Sequence, residues 1–386
     1  WIGVGVNVLI AGYLGQKKRD EANTTVTHGL LLAFEIGALL NLLSLLIMKP
    51  YFRAFTNNEE IYQLSIAYMS VCSFMQIPNM VHIAIQKMIQ ATGNMVAPMW
   101  FQIAGVVVNL VFDPILIFGI GIFPAMGIRG AAVATVAGYL LSMILAFILL
   151  LGKKQKVQVK IKGFHLQKQM IRRIFAFGLP SFIMNALSSF MVTFVNLFLV
   201  AYSDTAIAFF GAYFKVQQLI VMTVNGLIQG CLPVMRFNYG AGNSERLHSA
   251  FRYGTVLVTG MMILGTLAIL LFPAQILGLF TASEAMRSFG ISAMRIMATS
   301  YLFCGLSTMI STYFQATEKV ISSMLIQLLR QLLLLIPFMW CMEKLLKITG
   351  IWLSFPVTEA TTFVLVFLFF QADKRKETLC GDTKSQ

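Results

Sequence analysis

Long apolar runs recur along the chain, and short polar or glycine-rich segments separate them. Each complete run has about 20 residues or more, which is enough for a helix to cross a hydrocarbon core of about 30 Å. Ten complete spans can be drawn, with approximate limits 27–48, 61–91, 97–120, 128–151, 174–202, 206–235, 249–272, 287–313, 320–341 and 350–371. The pattern therefore predicts an all-α polytopic membrane protein with no separate soluble domain.

The apolar stretch at residues 1–14 is shorter than these spans and rich in glycine. No basic segment precedes it, so it does not have the pattern of a signal peptide. We interpret it as the tail of a helix whose start is missing. We expect the chain to be an N-terminally truncated fragment, in which the first helix and part of the second are absent.

Composition agrees with a membrane protein. Of the 386 residues, 58% are hydrophobic and 11% are charged, whereas a soluble chain has about 25% charged residues. The net charge of +14 comes from basic residues in connecting loops, without the stacking aromatics of nucleic-acid-binding proteins. We therefore expect the lipid bilayer as the partner, and no nucleic acid. The five cysteines are scattered without metal-binding spacing, so we interpret them as packing residues.

Loop charge predicts the orientation of the spans. The segment 152–173 carries eight lysines and arginines and no acid, so it is predicted to be cytoplasmic. Six spans later comes the basic stretch 373–377, which places the C-terminal tail on the same side. The chain is predicted to divide into an N-lobe at 1–151, a cytoplasmic linker at 152–173, a C-lobe at 174–372 and a cytoplasmic tail at 373–386.

The chain also repeats itself. One constant shift along the sequence places Gln90–Thr92 on Gln315–Thr317, and a slightly shorter shift places 127–135 on 350–358. Two copies separated by an even number of spans have the same orientation, so an axis along the membrane normal should relate them. Alternating-access transporters use this arrangement. The sequence therefore predicts two six-helix lobes in parallel repeat, which makes twelve helices in the complete protein.

An aspartate lies deep inside one apolar run, in the stretch "NLVFDPILIFG". Asn109 precedes Asp113 by four residues, so both side chains share one helix face. Pro114 removes a backbone N–H, and we expect it to push Asp113 out of regular helix and to free nearby carbonyls. Carboxylate, amide and carbonyl oxygens suit a small hard cation such as sodium, and equally a carboxyl group that carries protons. The alternative is a buried aspartate that ties helices together by hydrogen bonds.

Among the other charged residues within predicted spans, four are considered as candidates for a role. Glu359, behind a proline in "FPVTEATTF", and Glu35, in "LLAFEIGALL", are candidate second acidic sites, for which a functional and a structural role both remain open. Arg295 and Arg330 are predicted to have structural roles, in which each pairs with a carboxylate or with carbonyl oxygens.

Polar side chains form a stripe on one helix of each half. The stripes comprise Gln76, Asn79, His82, Gln86 and Gln90 in the first half and Lys215, Gln218, Asn225 and Gln229 in the second. We interpret them as two walls of a central water-filled cavity that binds substrate. Hydrogen bonding between helices is the alternative for each residue.

Several stretches spread over nearly the whole chain resemble the multidrug and toxic compound extrusion (MATE) family. They are "YLGQKKRDEAN", "IQATGN", "NLVFDPILIFG", "FPAMGIRGAAVAT", "FGLPSFIMN", "NGLIQGCLPVMRFNYGAGNSER" and "GIWLSFPVTE". The resemblance implies a twelve-helix fold of two six-helix lobes around a cavity. It also implies a transporter in the cell membrane that exports cationic, lipophilic compounds in exchange for Na⁺ or H⁺. No catalytic residue and no cofactor besides the coupling ion are then expected.

The resemblance also implies a cation site in the N-lobe. The family's pair of Asn and Asp on the fifth helix falls on Asn109 and Asp113, and its threonine on the sixth helix falls on Thr135. Asp113 and Asn109 would be the metal ligands if sodium is the coupling ion. An aspartate on the first helix would belong to the missing segment. Other members use acids in the C-lobe on helices seven, eight and ten, but the corresponding spans here have no acid in their middles.

Two other functions compete with drug export. A lipid-linked oligosaccharide flippase of the same superfamily would need a cationic cavity, for which Lys215, Arg295 and Arg330 are the candidates. A membrane-embedded enzyme would need a metal or diphosphate cluster, and four isolated histidines with scattered acids do not form one. We expect a monomeric transporter and no enzyme.

Overall fold

The computed structural model describes residues 1–55, 58–152, 155–160, 163–280 and 284–382, and within these residues the regular structure is helical throughout. The α-helices are α1 (Ile2–Gly15), α2 (Arg19–Phe55), α3 (Glu59–Cys72), α4 (Gln76–Ala91), α5 (Val96–Phe118), α6 (Ile128–Leu150), α7 (Lys168–Val200), α8 (Asp204–Gly240), α9 (Ser244–Leu271), α10 (Pro273–Gly278), α11 (Glu284–Ala298), α12 (Tyr301–Ala316), α13 (Val320–Leu328), α14 (Leu335–Leu346) and α15 (Ile348–Asp382). A 3₁₀ turn (Ser73–Met75) joins α3 to α4, and a π-helical segment (Leu329–Leu333) joins α13 to α14.

Ten helical stretches of the described chain are long and apolar enough to cross a membrane. This number confirms the ten predicted spans. Several helices extend beyond the predicted limits, because hydropathy marks only the apolar part of a helix. The first turns of α2, for example, begin at Arg19 with charged residues and precede the apolar run that was predicted to start at 27.

The chain divides into two compact units, one of Trp1–Gly178 with Gly240–Gly242 and one of Leu179–Tyr239 with Asn243–Gln386. The boundary falls inside α7, just after the predicted linker. The predicted functional division into lobes, linker and tail stays a prediction.

The sequence repeat is present in the helix boundaries. The shift that places Gln90 on Gln315 also places the first residue of α3, Glu59, on the first residue of α11, Glu284. It likewise places Ala91, the last residue of α4, on Ala316, the last residue of α12. In each half a short irregular turn, Ser73–Met75 in the first, breaks one membrane span into two helices. The repeat therefore extends to local irregularities that hydropathy cannot indicate.

Helices α5 and α6 pack closely in the first unit because small residues face each other. A Cβ atom on Gly105 would lie 2.0 Å from Ser142 Oγ and 2.6 Å from the Gly138 carbonyl oxygen. Ser142 also donates a hydrogen bond of 3.1 Å to the carbonyl oxygen of Phe101. Small residues let membrane helices approach to backbone contact. This interface fixes the register of the two helices.

A short glycine-rich connection joins α5 to α6. Gly119 ends α5 in the left-handed conformation with φ of 72°, and its N–H donates to the Ile115 carbonyl oxygen. A Cβ atom there would lie 2.5 Å from the backbone nitrogen of Ala125, so glycine is required on both counts. Gly119 therefore ends α5 and begins the turn to α6.

Pro114 does not interrupt α5, which is continuous from Val96 to Phe118. The prediction that it pushes Asp113 out of regular helix is therefore wrong. A proline deprives the helix of one i→i−4 hydrogen bond, here the bond to the Leu110 carbonyl oxygen. Packing against α6 holds the remaining turns in place, and membrane helices commonly tolerate proline for this reason.

Candidate functional site

Three residues predicted to bind the coupling cation lie together in the first unit. The Asn109 side-chain Nδ2 donates to Thr135 Oγ1 at 3.2 Å and to Asp113 Oδ1 at 3.4 Å. The Thr135 hydroxyl donates in turn to the Ala131 carbonyl oxygen at 2.9 Å. Asn109, Asp113 and Thr135 are half-buried. Side chains of α5 and α6 thus form one polar cluster, which we call the N-lobe site.

The close contact of α5 with α6 explains why these side chains meet. Asn109 lies one turn beyond Gly105, and Thr135 lies about one turn before Gly138 on the facing helix. A Cβ atom on Gly138 would be 3.4 Å from the Asn109 Cβ atom, so the two helices remain in contact at the level of the site. The glycine pair therefore sets the distance between the amide and the hydroxyl group.

Tyr68 on α3 is a neighbour that the sequence did not reveal. Its hydroxyl group interacts with the Cys72 thiol and the Thr135 hydroxyl, and it is close enough to Asp113 for an electrostatic interaction. A tyrosine among apolar residues carries no sequence signal for this role, because its position depends on how α3 packs against α6.

The N-lobe site offers one carboxylate together with an amide and two hydroxyl groups. In the described part of the chain, no group of three or more His, Cys, Asp and Glu residues is arranged to hold a metal ion. The oxygens of Asp113, Asn109 and Thr135 are hard ligands of the kind that alkali cations take. Asn109 directs its amide nitrogen at Asp113, so a half-turn of the amide group would present its oxygen to a cation instead.

The second unit contains a cavity of about 600 Å³. Amide side chains dominate its polar wall: Asn185, Gln217, Gln218, Asn225 and Gln331. Arg330 and Glu359 also line it, together with the apolar side chains of Phe214 and Phe355. We call it the C-lobe cavity. It lies entirely among residues of the second unit.

Arg330 forms an ion pair with Glu359, with 2.9 Å between Nε and Oε1. The same guanidinium group donates to Thr308 Oγ1 at 2.7 Å and to Cys304 Sγ at 2.6 Å. The expected pairing of Arg330 with a carboxylate is confirmed, and Glu359 gains a partner that its sequence context did not indicate. Arg330 lies in the π-helical segment Leu329–Leu333, an irregularity that is frequent at functional sites.

The polar stripe of α8 divides between the cavity and the surface. Gln218 and Asn225 line the C-lobe cavity. Lys215 and Gln229 are exposed and do not line it.

The polar stripe of α4 lies in the first unit. Gln86 donates to the Gln102 side-chain oxygen at 3.1 Å, which is a bond between helices. His82 is 4% exposed, and its Nδ1 lies 3.3 Å from the Asn79 carbonyl oxygen. Gln76 and Asn79 are half-buried.

Glu35 and Arg295 are charged candidates that form no ion pair with any described residue. Glu35 is exposed on α2. Arg295 is exposed in the last turn of α11, so the expectation that it pairs with a carboxylate or carbonyl oxygens within a span is wrong. The break after Ala298 places Arg295 near a helix C-terminus, where a positive charge is favoured by the helix dipole.

Ten apolar spans, two repeated halves and polar groups within the spans define a polytopic membrane transporter. The chain matches the MatE family model over residues 1–115 and 180–341, and it belongs to that family. Membership confirms the predicted family and the prediction of a transporter in place of an enzyme.

The relatives include the multidrug export protein MepA of Staphylococcus aureus, which is 25% identical over 93% of this chain and 78% of its own length. A protein named FAD transporter of Shewanella oneidensis is 24% identical over 92% of this chain and 79% of its own length.

Solved structures share the fold. The outward-facing conformation of a multidrug resistance MATE family transporter has a TM-score of 0.86 at 22% identity, covering 96% of this chain and 83% of that one. A MOP superfamily transporter from Pyrococcus furiosus has a TM-score of 0.88 at 23% identity, with the same coverage of 96% and 83%.

Proposed function

We propose that the protein exports cationic, lipophilic compounds across the cell membrane in exchange for inward Na⁺ or H⁺. The observation that carries this proposal is the N-lobe site, in which a carboxylate within a membrane helix is joined to a second helix by side-chain hydrogen bonds. Family membership and the names of the relatives support export of drugs.

The mechanism follows from the unfavourable free energy of a charged carboxylate within the membrane. When Asp113 is charged and has no bound ion, the Asn109 amide stabilises it by donating a hydrogen bond. A sodium ion would replace that donor and be held by Asp113, Asn109 and Thr135 oxygens. A proton would instead neutralise the carboxylate directly. Either event changes the bond between α5 and α6 and so biases the transporter between two packings.

The protein then acts as a monomer in the bilayer, with its C-terminal tail in the cytoplasm and no cofactor besides the coupling ion. Glu359 and Glu35 are the alternative coupling acids. Glu359 is already balanced by Arg330, and Glu35 is exposed, so Asp113 is the preferred candidate.

Flipping of a lipid-linked sugar diphosphate has less support. Lys215 and Arg295 are exposed and outside the C-lobe cavity, and Arg330 is paired with Glu359. The positive charges that suggested this function therefore do not combine into a cationic wall in the described cavity.

The test is ethidium efflux from cells that lack their main efflux pumps and express the full-length protein. Efflux should follow an imposed Na⁺ or pH gradient and disappear in Asp113→Asn. Glu60→Gln, which removes an exposed acid at the start of α3, is the matched control and should retain efflux. Gradient-driven efflux that survives in Asp113→Asn would move the search to Glu359 and Glu35, and no efflux under either gradient would overturn the proposed export.

A further inference from the structure

The basic linker is attached to the first unit at two places along its described residues. At the first, Val157 is 1% exposed and belongs to the apolar core of that unit. Asn23 Oδ1 on α2 accepts from the Gln158 N–H at 2.8 Å, and Thr27 Oγ1 accepts from the Lys160 N–H at 3.0 Å. Polar side chains of α2 therefore bind the backbone of the linker.

The second attachment depends on one histidine. His28 on α2 is fully buried, and its ring packs against Phe164 with 4.7 Å between the ring centroids. His28 Nε2 lies 2.9 Å from the backbone nitrogen of Gln167, and His28 Nδ1 lies 2.8 Å from the Thr24 carbonyl oxygen. We call His28, Phe164 and Gln167 the linker latch.

The partners of the His28 ring determine where its hydrogen lies. The Gln167 N–H can only donate, so Nε2 is the unprotonated acceptor. The Thr24 carbonyl oxygen can only accept, so Nδ1 carries the hydrogen. A second proton would bind at Nε2, where it would point at the Gln167 N–H and break that hydrogen bond. The closed latch therefore requires a neutral His28.

No carboxylate compensates a charged His28 inside the closed latch. The described titratable and charged groups of the elements packed against this end of α2 are Arg19, Asp20 and Glu21 on α2, Lys156, Lys160 and His165 on the linker, Lys168, Arg172 and Arg173 on α7, Tyr13 on α1 and Lys87 on α4. Both nearby acids, Asp20 and Glu21, are exposed, and Asp20 pairs with Lys160 at 3.2 Å. The His28 ring bonds only to backbone groups, so its protonation should open the latch.

We propose that the linker latch is a sensor of cytoplasmic pH, in which protonation of His28 releases the linker around Gln167 from α2 and thereby accelerates transport. The proposal rests on the proposed export and on the cytoplasmic position that the basic residues of the linker predict. It adds regulation to that function.

Release of the latch would affect transport because the linker leads directly into α7. The first part of α7 belongs to the first unit, and from Leu179 onwards α7 belongs to the second. Transporters built from two repeats move one repeat against the other. The closed latch holds the entry to α7 on α2, so its opening removes a restraint on that movement.

The first experiment measures hydrogen–deuterium exchange of the purified full-length protein by mass spectrometry. Exchange is compared at about pH 8 and about pH 5.5, the range in which histidines change charge, and is expressed relative to the intrinsic rate at each pH. Protection of residues 163–170 should fall by at least about fivefold at the lower pH, because a buried N–H loses its acceptor. Protection of residues 155–160 should not change, because Val157, Asn23 and Thr27 do not titrate.

Three variants show whether His28 is responsible. His28→Gln can still accept from the Gln167 N–H but cannot titrate, so protection of residues 163–170 should be kept at both pH values. His28→Phe fills similar space without an acceptor, so protection should be low at both. His165→Gln removes an exposed histidine of the linker and should keep the wild-type response. No response in wild type, or a wild-type response in His28→Gln, would overturn the proposal.

The second experiment measures ethidium efflux at two values of cytoplasmic pH. Wild type and His28→Gln experience the same ion gradients, so the ratio of their efflux rates isolates the effect of the latch. The ratio of wild type to His28→Gln should rise as the cytoplasm is acidified, because only the wild-type latch opens. A constant ratio would overturn control of transport by the latch. Absence of efflux from both proteins would instead refute the proposed export, and the exchange experiment would still decide whether the latch opens.

Discussion

The side-chain amide of Asn109 on α5 donates a hydrogen bond to the hydroxyl group of Thr135 on α6, at 3.2 Å. The same amide nitrogen faces Asp113. The Asn109 amide therefore connects the charge state of Asp113 to the position of α6. A proton or cation that reaches the Asp113 carboxylate alters a contact between the two helices. This relationship gives the transporter a local element through which an ion can act on its conformation.

Replacement of Thr135 with valine should weaken ion binding without abolishing transport. The substitution keeps the shape of the side chain and removes one oxygen ligand, together with the hydrogen bonds to the Asn109 amide and the Ala131 carbonyl oxygen. A typical net hydrogen bond corresponds to about a threefold to tenfold change in affinity, so the ion concentration for half-maximal efflux should rise by about that factor. Ethidium efflux titrated against Na⁺ and against pH measures it.

Thr255→Val is the matched control for this substitution. Thr255 is also half-buried and also donates to the carbonyl oxygen four residues earlier, that of Phe251, but it lies on α9 in the second unit. Its replacement should leave the titration unchanged. A wild-type titration in Thr135→Val would remove Thr135 from the site.

Replacement of Gly138 with alanine should destabilise the protein and disturb the N-lobe site. The new Cβ atom would lie 2.6 Å from the Gly105 carbonyl oxygen, so α5 and α6 must separate. Overpacking of this kind costs about 1–3 kcal/mol. Thermal unfolding of the purified protein should show a lower melting temperature. Gly260→Ala on α9 meets no atom within 4 Å and should not lower it, and equal melting temperatures for the two variants would contradict the close contact.

Removal of one member of the Arg330–Glu359 pair should cost more stability than removal of both. Glu359→Gln leaves a buried guanidinium group without its counterion, which destabilises by about 3–5 kcal/mol. In the double variant Arg330→Gln with Glu359→Gln, no buried charge remains and most of that loss should be recovered. Melting temperatures of the two single variants and the double variant form the test, and strictly additive losses would argue against coupling.

The predicted topology can be tested with reporter fusions. Alkaline phosphatase fused after residue 373 should be inactive and a fluorescent protein there should be bright, because the tail is predicted to be cytoplasmic. Fusions within the loop 119–127 should give the opposite result, since one span separates that loop from the basic linker. Active phosphatase at the C-terminus would invert the predicted orientation.

Features that depend on the length of the apolar runs, or on residues that recur in both halves of the chain, could be predicted from the sequence. The ten spans follow from apolar length, and the repeat follows from Gln90–Thr92 and its copy at Gln315–Thr317. The Asn109–Asp113 pair follows from a spacing of one helical turn. Thr135 could be assigned to the same site only through the family resemblance, because it lies on a different helix and no sequence spacing relates it to Asn109 and Asp113.

Features set by packing between helices could not be predicted. Arg330 and Glu359 were recognised as intramembrane charges, but they lie on different helices, and pairing is decided by how those helices pack. The effect of Pro114 was wrongly predicted, because a proline removes only one hydrogen bond of the helix, and packing against the neighbouring helix decides whether the turn opens. The contact of Tyr68 with the N-lobe site likewise depends on packing alone.

The most direct test of the central claim, that Asp113 couples ion uptake to export, is a simultaneous flux measurement in proteoliposomes. Vesicles containing the full-length protein are loaded with ethidium, an inward Na⁺ or pH gradient is imposed, and ion and ethidium movements are recorded together. Wild type should release ethidium as one of the two ions enters, and Asp113→Asn should show neither coupled flux while Glu60→Gln shows both. Ethidium release by Asp113→Asn at the wild-type rate and with the same ion movement would contradict the account.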